Sequence, residues 1–188
     1  MKITAIMGSH RNNGHTNKIL NYFLDQVKDE NELRLINVNK VHVEHCKGCD
    51  YCIPHQGECV IKDDDMTWIY EDFMDCDLLV IASPVYFTAF PSKLKTVIDR
   101  TQMIYNLEDH SHIPNKKIIF IGVGGAPAYG HQFKGMEYTL EWYLKNLNAV
   151  PMGFVEISHT DETPALENKK AVAELDALAQ QIKNLQEA

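Results

Sequence analysis

Cys46, Cys49, Cys52 and Cys59 follow the spacing C-x2-C-x2-C-x6-C within one short polar stretch. Thiolates at such intervals can wrap a metal centre. Three of them so close together crowd a single zinc ion but suit a cubane cluster. The spacing leaves three states open: a 4Fe-4S cluster, zinc held by four thiolates, or no metal, with free thiols or a labile disulfide instead. Cys76, in the turn Asp75-Cys76-Asp77 ahead of an apolar run, reads as structural. The histidines show no ligand spacing; His110 and His112, and His42 and His45 beside the cysteines, read as solvated.

A second set of candidate residues lies in Gly8-Ser9-His10-Arg11-Asn12-Asn13-Gly14-His15-Thr16-Asn17, between an apolar run and a helical pattern. Free backbone N–H groups and the helix dipole at such a junction favour an anion. Ser9 and Thr16 add hydroxyls, Asn17 an amide and Arg11 a charge-assisted donor, with Gly14 at the turn into the helix. Residues 1–24 carry Lys2, Arg11 and Lys18 and no acid. A Walker loop is excluded, because its second glycine and lysine are out of place. The dinucleotide pattern G-x-G-x-x-G is absent, and so is a loop cysteine for phosphatase chemistry. A mononucleotide phosphate is what remains.

Two further stretches could complete such a site. Pro84-Val85-Tyr86-Phe87-Thr88-Ala89-Phe90-Pro91 is a proline-bracketed segment, expected to expose Tyr86, Phe87 and Phe90. It offers the flat apolar wall and backbone N–H groups that a flavin ring needs. Gly124-Gly125-Ala126-Pro127-Ala128-Tyr129 would let backbone approach a ligand closely, with Tyr129 against the other side of the ring.

The elements that would position these residues alternate along the chain. Strands are predicted at 2–7, 33–38, 78–82, 118–123 and 150–157. All but the second are nearly continuous apolar runs, as in parallel strands covered on both faces. The second alternates and is placed at an edge. Helical stripes run through Ile19, Leu20, Phe23, Leu24 and Val27; through Met66, Ile69, Tyr70 and Phe73; and through Leu94, Val97 and Ile98. Two more follow Phe133, Met136, Leu140, Leu144 and Leu147, then Leu175, Leu178, Ile182 and Leu185. Strict alternation predicts one α/β domain over 1–188: a five-stranded parallel sheet in the flavodoxin-like order 2-1-3-4-5, with helices on both faces. Ligands of such sheets sit beyond the carboxyl ends of the strands. The long irregular stretch 39–63 is expected to be functional.

A formal charge of −8 argues against nucleic-acid binding. No apolar run is long enough to span a membrane. The N-terminus reads as a strand and not as an export signal, so a cytoplasmic location with reduced cysteines is expected.

The loop 8–17, the segment Ser83-Pro84-Val85-Tyr86-Phe87, and Lys95 with Asp99-Arg100 resemble the NADPH-dependent FMN reductase family of the flavodoxin-like superfamily. The resemblance implies that Ser9, Arg11, Thr16 and Asn17 hold the FMN phosphate. It implies that Pro84, Val85, Tyr86 and Phe87 line the flavin and that Gly124, Gly125 and Tyr129 close the site. Asp99-Arg100 would brace the structure or a subunit contact. The cysteine segment is similar to that of the iron–sulfur flavoproteins of the same superfamily, although related reductases keep similar cysteines without a cluster. The implied activity is electron transfer from NAD(P)H through FMN to a quinone, a nitro or azo compound, or a protein acceptor. The implied assembly is a homodimer or homotetramer. A cluster-to-FMN electron relay is the alternative, and a flavin-responsive partner-binding protein a third. No separate catalytic acid–base residue is expected, since the cofactor carries the chemistry.

Overall fold

The computed structural model describes the backbone of residues 1–187, with side chains through residue 185. Its sheet holds five parallel strands: β1 (Lys2–Met7), β2 (Glu32–Asn37), β3 (Leu78–Pro84), β4 (Lys116–Val123) and β5 (Ala149–Ile157). The order is β2-β1-β3-β4-β5, as the alternation predicts. The helices are α1 (His15–Asp25), α2 (Met66–Asp75), α3 (Ser92–Arg100), the single turn α4 (Gln102–Tyr105), α5 (Lys134–Asn146) and α6 (Lys169–Glu187).

The central strands are buried on both faces, which is why β1, β3 and β4 read as unbroken apolar runs. Each face has its own core. On one side Phe73, Leu94, Ile104, Met136 and Leu140 of α2 to α5 cover Ile6, Ile81 and Phe120. On the other, Leu20 and Phe23 of α1 and Leu175 and Ile182 of α6 cover Ala5, Val80 and Ile121. Each fully buried side chain of this size contributes about 1.5–3 kcal/mol.

β5 departs from the expectation of a strand covered on both faces. It forms the sheet edge, and Val150 and Phe154 remain half-exposed. Pro151 is tolerated there, opposite Ile118 at a break in register. Leu185, assigned by its spacing to the buried stripe of α6, is exposed, because the helix runs past the sheet that would cover it. Cys76 is buried as expected, and burial pushes its thiol up to about 11. Among the described residues, no helix is long and apolar enough to cross a membrane.

Candidate functional site

The loops singled out in the sequence leave the same edge of the sheet, at the carboxyl ends of β1, β2, β3 and β4. The first begins at Gly8, whose N–H donates to Ala82 O at 2.8 Å. A Cβ at Gly8 would lie 2.5 Å from Leu94 Cδ2, so only glycine lets β1 turn here against α3. Ser9 is buried, and its hydroxyl accepts the Arg11 N–H at 3.0 Å, which curls the loop. Gly14 is the N-cap of α1 and gives no side-chain cap, so the first-turn N–H groups keep their capacity for a ligand. Thr16 is buried in that turn. Arg11 is exposed and has no carboxylate partner among the described residues. Asn17 Oδ1 accepts from Asn21, which leaves its own amide N–H groups as donors. With no acid in the first turn of α1, an anion here meets donors and one free cation.

Asn39 carries no signal in the sequence, yet it ties this loop to the segment after β2. Its Nδ2 donates to Ser9 O at 2.9 Å, and Lys93 Nζ reaches its Oδ1 at 3.5 Å. Only the folded topology brings residues 30 positions apart together in this way.

The segment after β3 is a tight two-residue turn. Tyr86 and Ala89 exchange backbone hydrogen bonds of 3.0 and 2.9 Å, with Phe87 and Thr88 between them at φ of 49° and 61°. Left-handed backbone at two non-glycine residues costs about 1–2 kcal/mol each, so the surroundings must hold the turn. Gly135 of α5 packs directly on the Thr88 carbonyl. The turn leaves Tyr86 half-exposed and the Phe87 ring fully in solvent. Pro84 ends β3, and Val85 N–H is fixed to Val123 O at 2.9 Å. Phe90 differs from expectation: it is buried edge-on against Phe120, because the turn reverses the chain before Pro91 and sends this ring back into the core.

The glycine-rich segment after β4 is held by the segment after β5. Gly124 N–H donates to Ile157 O, Thr160 N–H to Gly124 O, and Asp161 N–H to Gly125 O. Both glycines have a reason within the protein: a Cβ would lie 2.3 Å from Gln132 Nε2 at Gly124 and 2.6 Å from the Asp161 carboxylate at Gly125. Gln132 is buried, accepts from Ser158 Oγ at 2.6 Å and donates to Ala126 O, so it braces the loop from below. Tyr129 is exposed beyond it.

The donor set around 8–17, the exposed aromatic turn at 86–88 and the braced backbone at 124–126 fit an FMN phosphate and ring, with the Asp161 carboxylate beside Gly125 and not in the 8–17 loop.

The cysteine segment lies over α3 and α4. Cys46, Cys49, Cys52 and Cys59 line one narrow cavity of about 30 Å³ with Arg100, Gln102 and Met103. All four are free thiols, and among the described residues no three potential ligands stand at metal-binding distance. A cubane would require the segment to open around it. The donor set suits one nonetheless: four thiols, a buried guanidinium, and an amide N–H from Asn106 Nδ2 on Cys52 Sγ at 3.2 Å. Gly48 and Asp50 have left-handed backbone, and most of 47–58 is exposed, so the segment has freedom to adapt.

Of the expected Asp99-Arg100 brace, Arg100 is the working member. It is fully buried and paired with the equally buried Asp64, while Asp99 pairs with Lys95 at the surface. Burial alone would push the Asp64 carboxyl up. The hydrogen bond from Arg100, another from Glu44 N–H and the Arg100 charge outweigh that and hold it below the usual carboxylate range. Desolvation likewise opposes the Arg100 charge, but the Asp64 hydrogen bond prevails and its pKa is raised.

Residues 1–162 match the family model for NADPH-dependent FMN reductase. An iron–sulfur flavoprotein of Methanocaldococcus jannaschii is 35% identical over 72% of this chain and 64% of its own length. One of Methanosarcina thermophila is 34% identical over 76% of this chain and 72% of its own length. An FMN-dependent NADH-azoreductase of Bacillus anthracis, solved in complex with FMN, superimposes with a TM-score of 0.68 at 15% identity, over 97% of this chain and 99% of that one. That last likeness is one of fold. The match over 1–162 settles kinship: this chain belongs to the NADPH-dependent FMN reductase family.

Proposed function

We propose that this protein is an NAD(P)H-dependent FMN oxidoreductase whose bound flavin passes electrons to a quinone, a nitro or azo compound, or a protein acceptor. The carrying observation is the convergence, at one sheet edge, of an uncapped helix N-terminus with buried Ser9 and Thr16, an exposed aromatic turn, and a braced glycine backbone. FMN would supply the redox chemistry, taking two electrons from the nicotinamide and releasing them to the acceptor. The chain's own residues bind and orient. Ser9, Thr16, Asn17, Arg11 and the N–H groups after Gly14 hold the phosphate. Pro84, Val85, Tyr86 and Phe87 form the wall of the ring, and Gly124, Gly125 and Tyr129 its other boundary. The N–H groups of Val85, Tyr86 and Gly124 are engaged within the protein, which leaves those of Phe87 and Gly125 to stabilise negative charge on the ring.

A second reading is favoured by the four cysteines sharing one cavity beside a buried cation. In it, Cys46, Cys49, Cys52 and Cys59 hold a 4Fe-4S cluster that exchanges electrons with the flavin, a reading the names of the two archaeal relatives support. Zinc has no such support. A cytoplasmic location keeps these thiols reduced, and a homodimer or homotetramer is the assembly proposed with it.

The test is a visible spectrum of protein purified without oxygen, before and after NADPH. Flavin bands that bleach, without a broad iron-dependent shoulder, support the simple reductase. The shoulder, with four irons per chain, supports the cluster. Protein that is colourless and refuses added FMN refutes both.

A further inference from the structure

Arg100 joins regions of the chain that the sequence keeps far apart. Its Nη1 donates to Glu44 O at 2.8 Å and to Asp64 Oδ2, and its Nη2 reaches Asp64 Oδ1 at 3.3 Å and Ile61 O at 3.4 Å. Glu44 and Ile61 lie two residues outside Cys46 and Cys59, so one guanidinium fastens both ends of the cysteine segment to the end of α3. Asp64 reinforces the clasp by accepting Glu44 N–H at 2.9 Å and Met66 N–H at 3.1 Å. Tyr70 closes it from α2, donating its hydroxyl to Arg100 O at 2.8 Å.

The clasp is incomplete at one atom. Arg100 Nε is buried and has no hydrogen-bond partner among the described residues, while the residue lines the cavity that holds all four thiols. A buried N–H donor left unpaired costs about 1–3 kcal/mol. Cys59 lines that cavity beside Arg100. Bound thiolate or sulfide sulfur would supply the missing acceptor.

We propose that Arg100 is a positioning residue for the cysteine centre: it pins both ends of the segment 46–59 and gives its free Nε–H to the anionic sulfur group bound there. The proposal rests on the reading that the cysteines hold a cluster. The ends stay fixed while the exposed stretch between them opens around the group. Asp64 balances the Arg100 charge, but a hydrogen bond to cluster sulfur stabilises the state with one more electron, so the Arg100 Nε–H raises the reduction potential of the centre. The change is one electron gained from a reductant, with no bond made or broken.

Two variants of the FMN-loaded protein, reconstituted without oxygen with iron and sulfide, test this. Arg100→Lys keeps the charge on Asp64 but loses the fork and the Nε–H. It is expected to release iron to a chelator at least tenfold faster, with FMN affinity unchanged. The double variant Arg100→Met with Asp64→Asn removes the balanced pair of charges together with the Nε–H donor, so its potential reads the loss of that hydrogen bond alone. Its cluster, titrated with dithionite, is expected to favour the oxidised state by tenfold, a one-electron shift of about 59 mV. Wild-type iron release in Arg100→Lys together with a wild-type potential in the double variant overturns the role of Arg100. Wild-type protein that takes up neither iron nor sulfide overturns the cluster reading itself, a result distinguishable from the first.

Discussion

Gly135→Ala sets two effects of similar size against each other. Alanine is the better helix former by up to about 1 kcal/mol, and Gly135 lies in the first turn of α5. The new Cβ, however, would stand 2.5 Å from the Thr88 carbonyl oxygen and 3.2 Å from its carbon. An ordinary carbon–oxygen contact is about 3.3 Å or longer, so something must move by about 0.8 Å. The obstacle is backbone within a turn that already has two left-handed residues, and overpacking of this kind costs about 1–3 kcal/mol. The fold can escape most of that cost by letting the turn 86–89 shift, because Phe87 at its tip is packed on nothing. The expected outcome is a small change in the urea midpoint of FMN-free protein. FMN affinity should fall 5- to 30-fold, as the displaced Tyr86–Phe87 wall loses about 1–2 kcal/mol of contacts. Flavin fluorescence quenching on titration measures it. Unchanged FMN affinity would refute the argument that Gly135 positions the flavin wall.

Arg11→Ala should weaken FMN binding by about 1.5–3 kcal/mol, as expected for loss of a charge-assisted bond, and leave riboflavin binding unaffected. Equal losses for both ligands would place Arg11 away from the phosphate. Asp64→Asn should destabilise the fold by about 3–5 kcal/mol in urea, because the Arg100 charge then lies buried without its partner. The same residue sets an acid dependence. Its carboxyl is held below its ordinary value of 3.8, so its contribution is complete above that pH and is lost as pH falls through the folded-state value. The stability gap between wild type and Asp64→Asn should therefore narrow below about pH 3.8; a gap constant with pH would count against the pairing.

The order of the sheet was readable because burial on both faces leaves a mark on β1, β3 and β4 that needs no knowledge of partners: past the lysines that open β1 and β4, every residue on them is apolar or small. The loops proposed to hold the cofactor were readable as loops for a similar reason, since glycine and proline mark the ends of those strands locally. What escaped depends on distant pairing. Arg100 and Asp64 are 36 residues apart, and Asn39 and Ser9 are 30 apart; only the folded chain makes neighbours of them. Phe90 was misjudged because composition does not report the reversal at Phe87–Thr88. The glycines at 124 and 125 were read as room for a ligand; that Gln132 and Asp161 also require them is visible only in the folded chain. Leu185 follows the stripe of α6 but lies beyond the sheet's reach.

The family model matches residues 1–162, and the helix that completes one face of the sheet follows that span. Leu175, Leu178 and Ile182 of α6 seal the face that β5 and β4 share with β1 and β3, and Gly153 lacks a Cβ where Leu178 settles, at 2.7 Å. Those three side chains together are worth about 4.5–9 kcal/mol, which is comparable to the whole stability of an ordinary domain, about 5–15 kcal/mol. Residues 1–162 and the helix that follows them must therefore fold as one cooperative body. A chain cut before the final helix would leave the groove over Gly153 open to water and should not hold its fold.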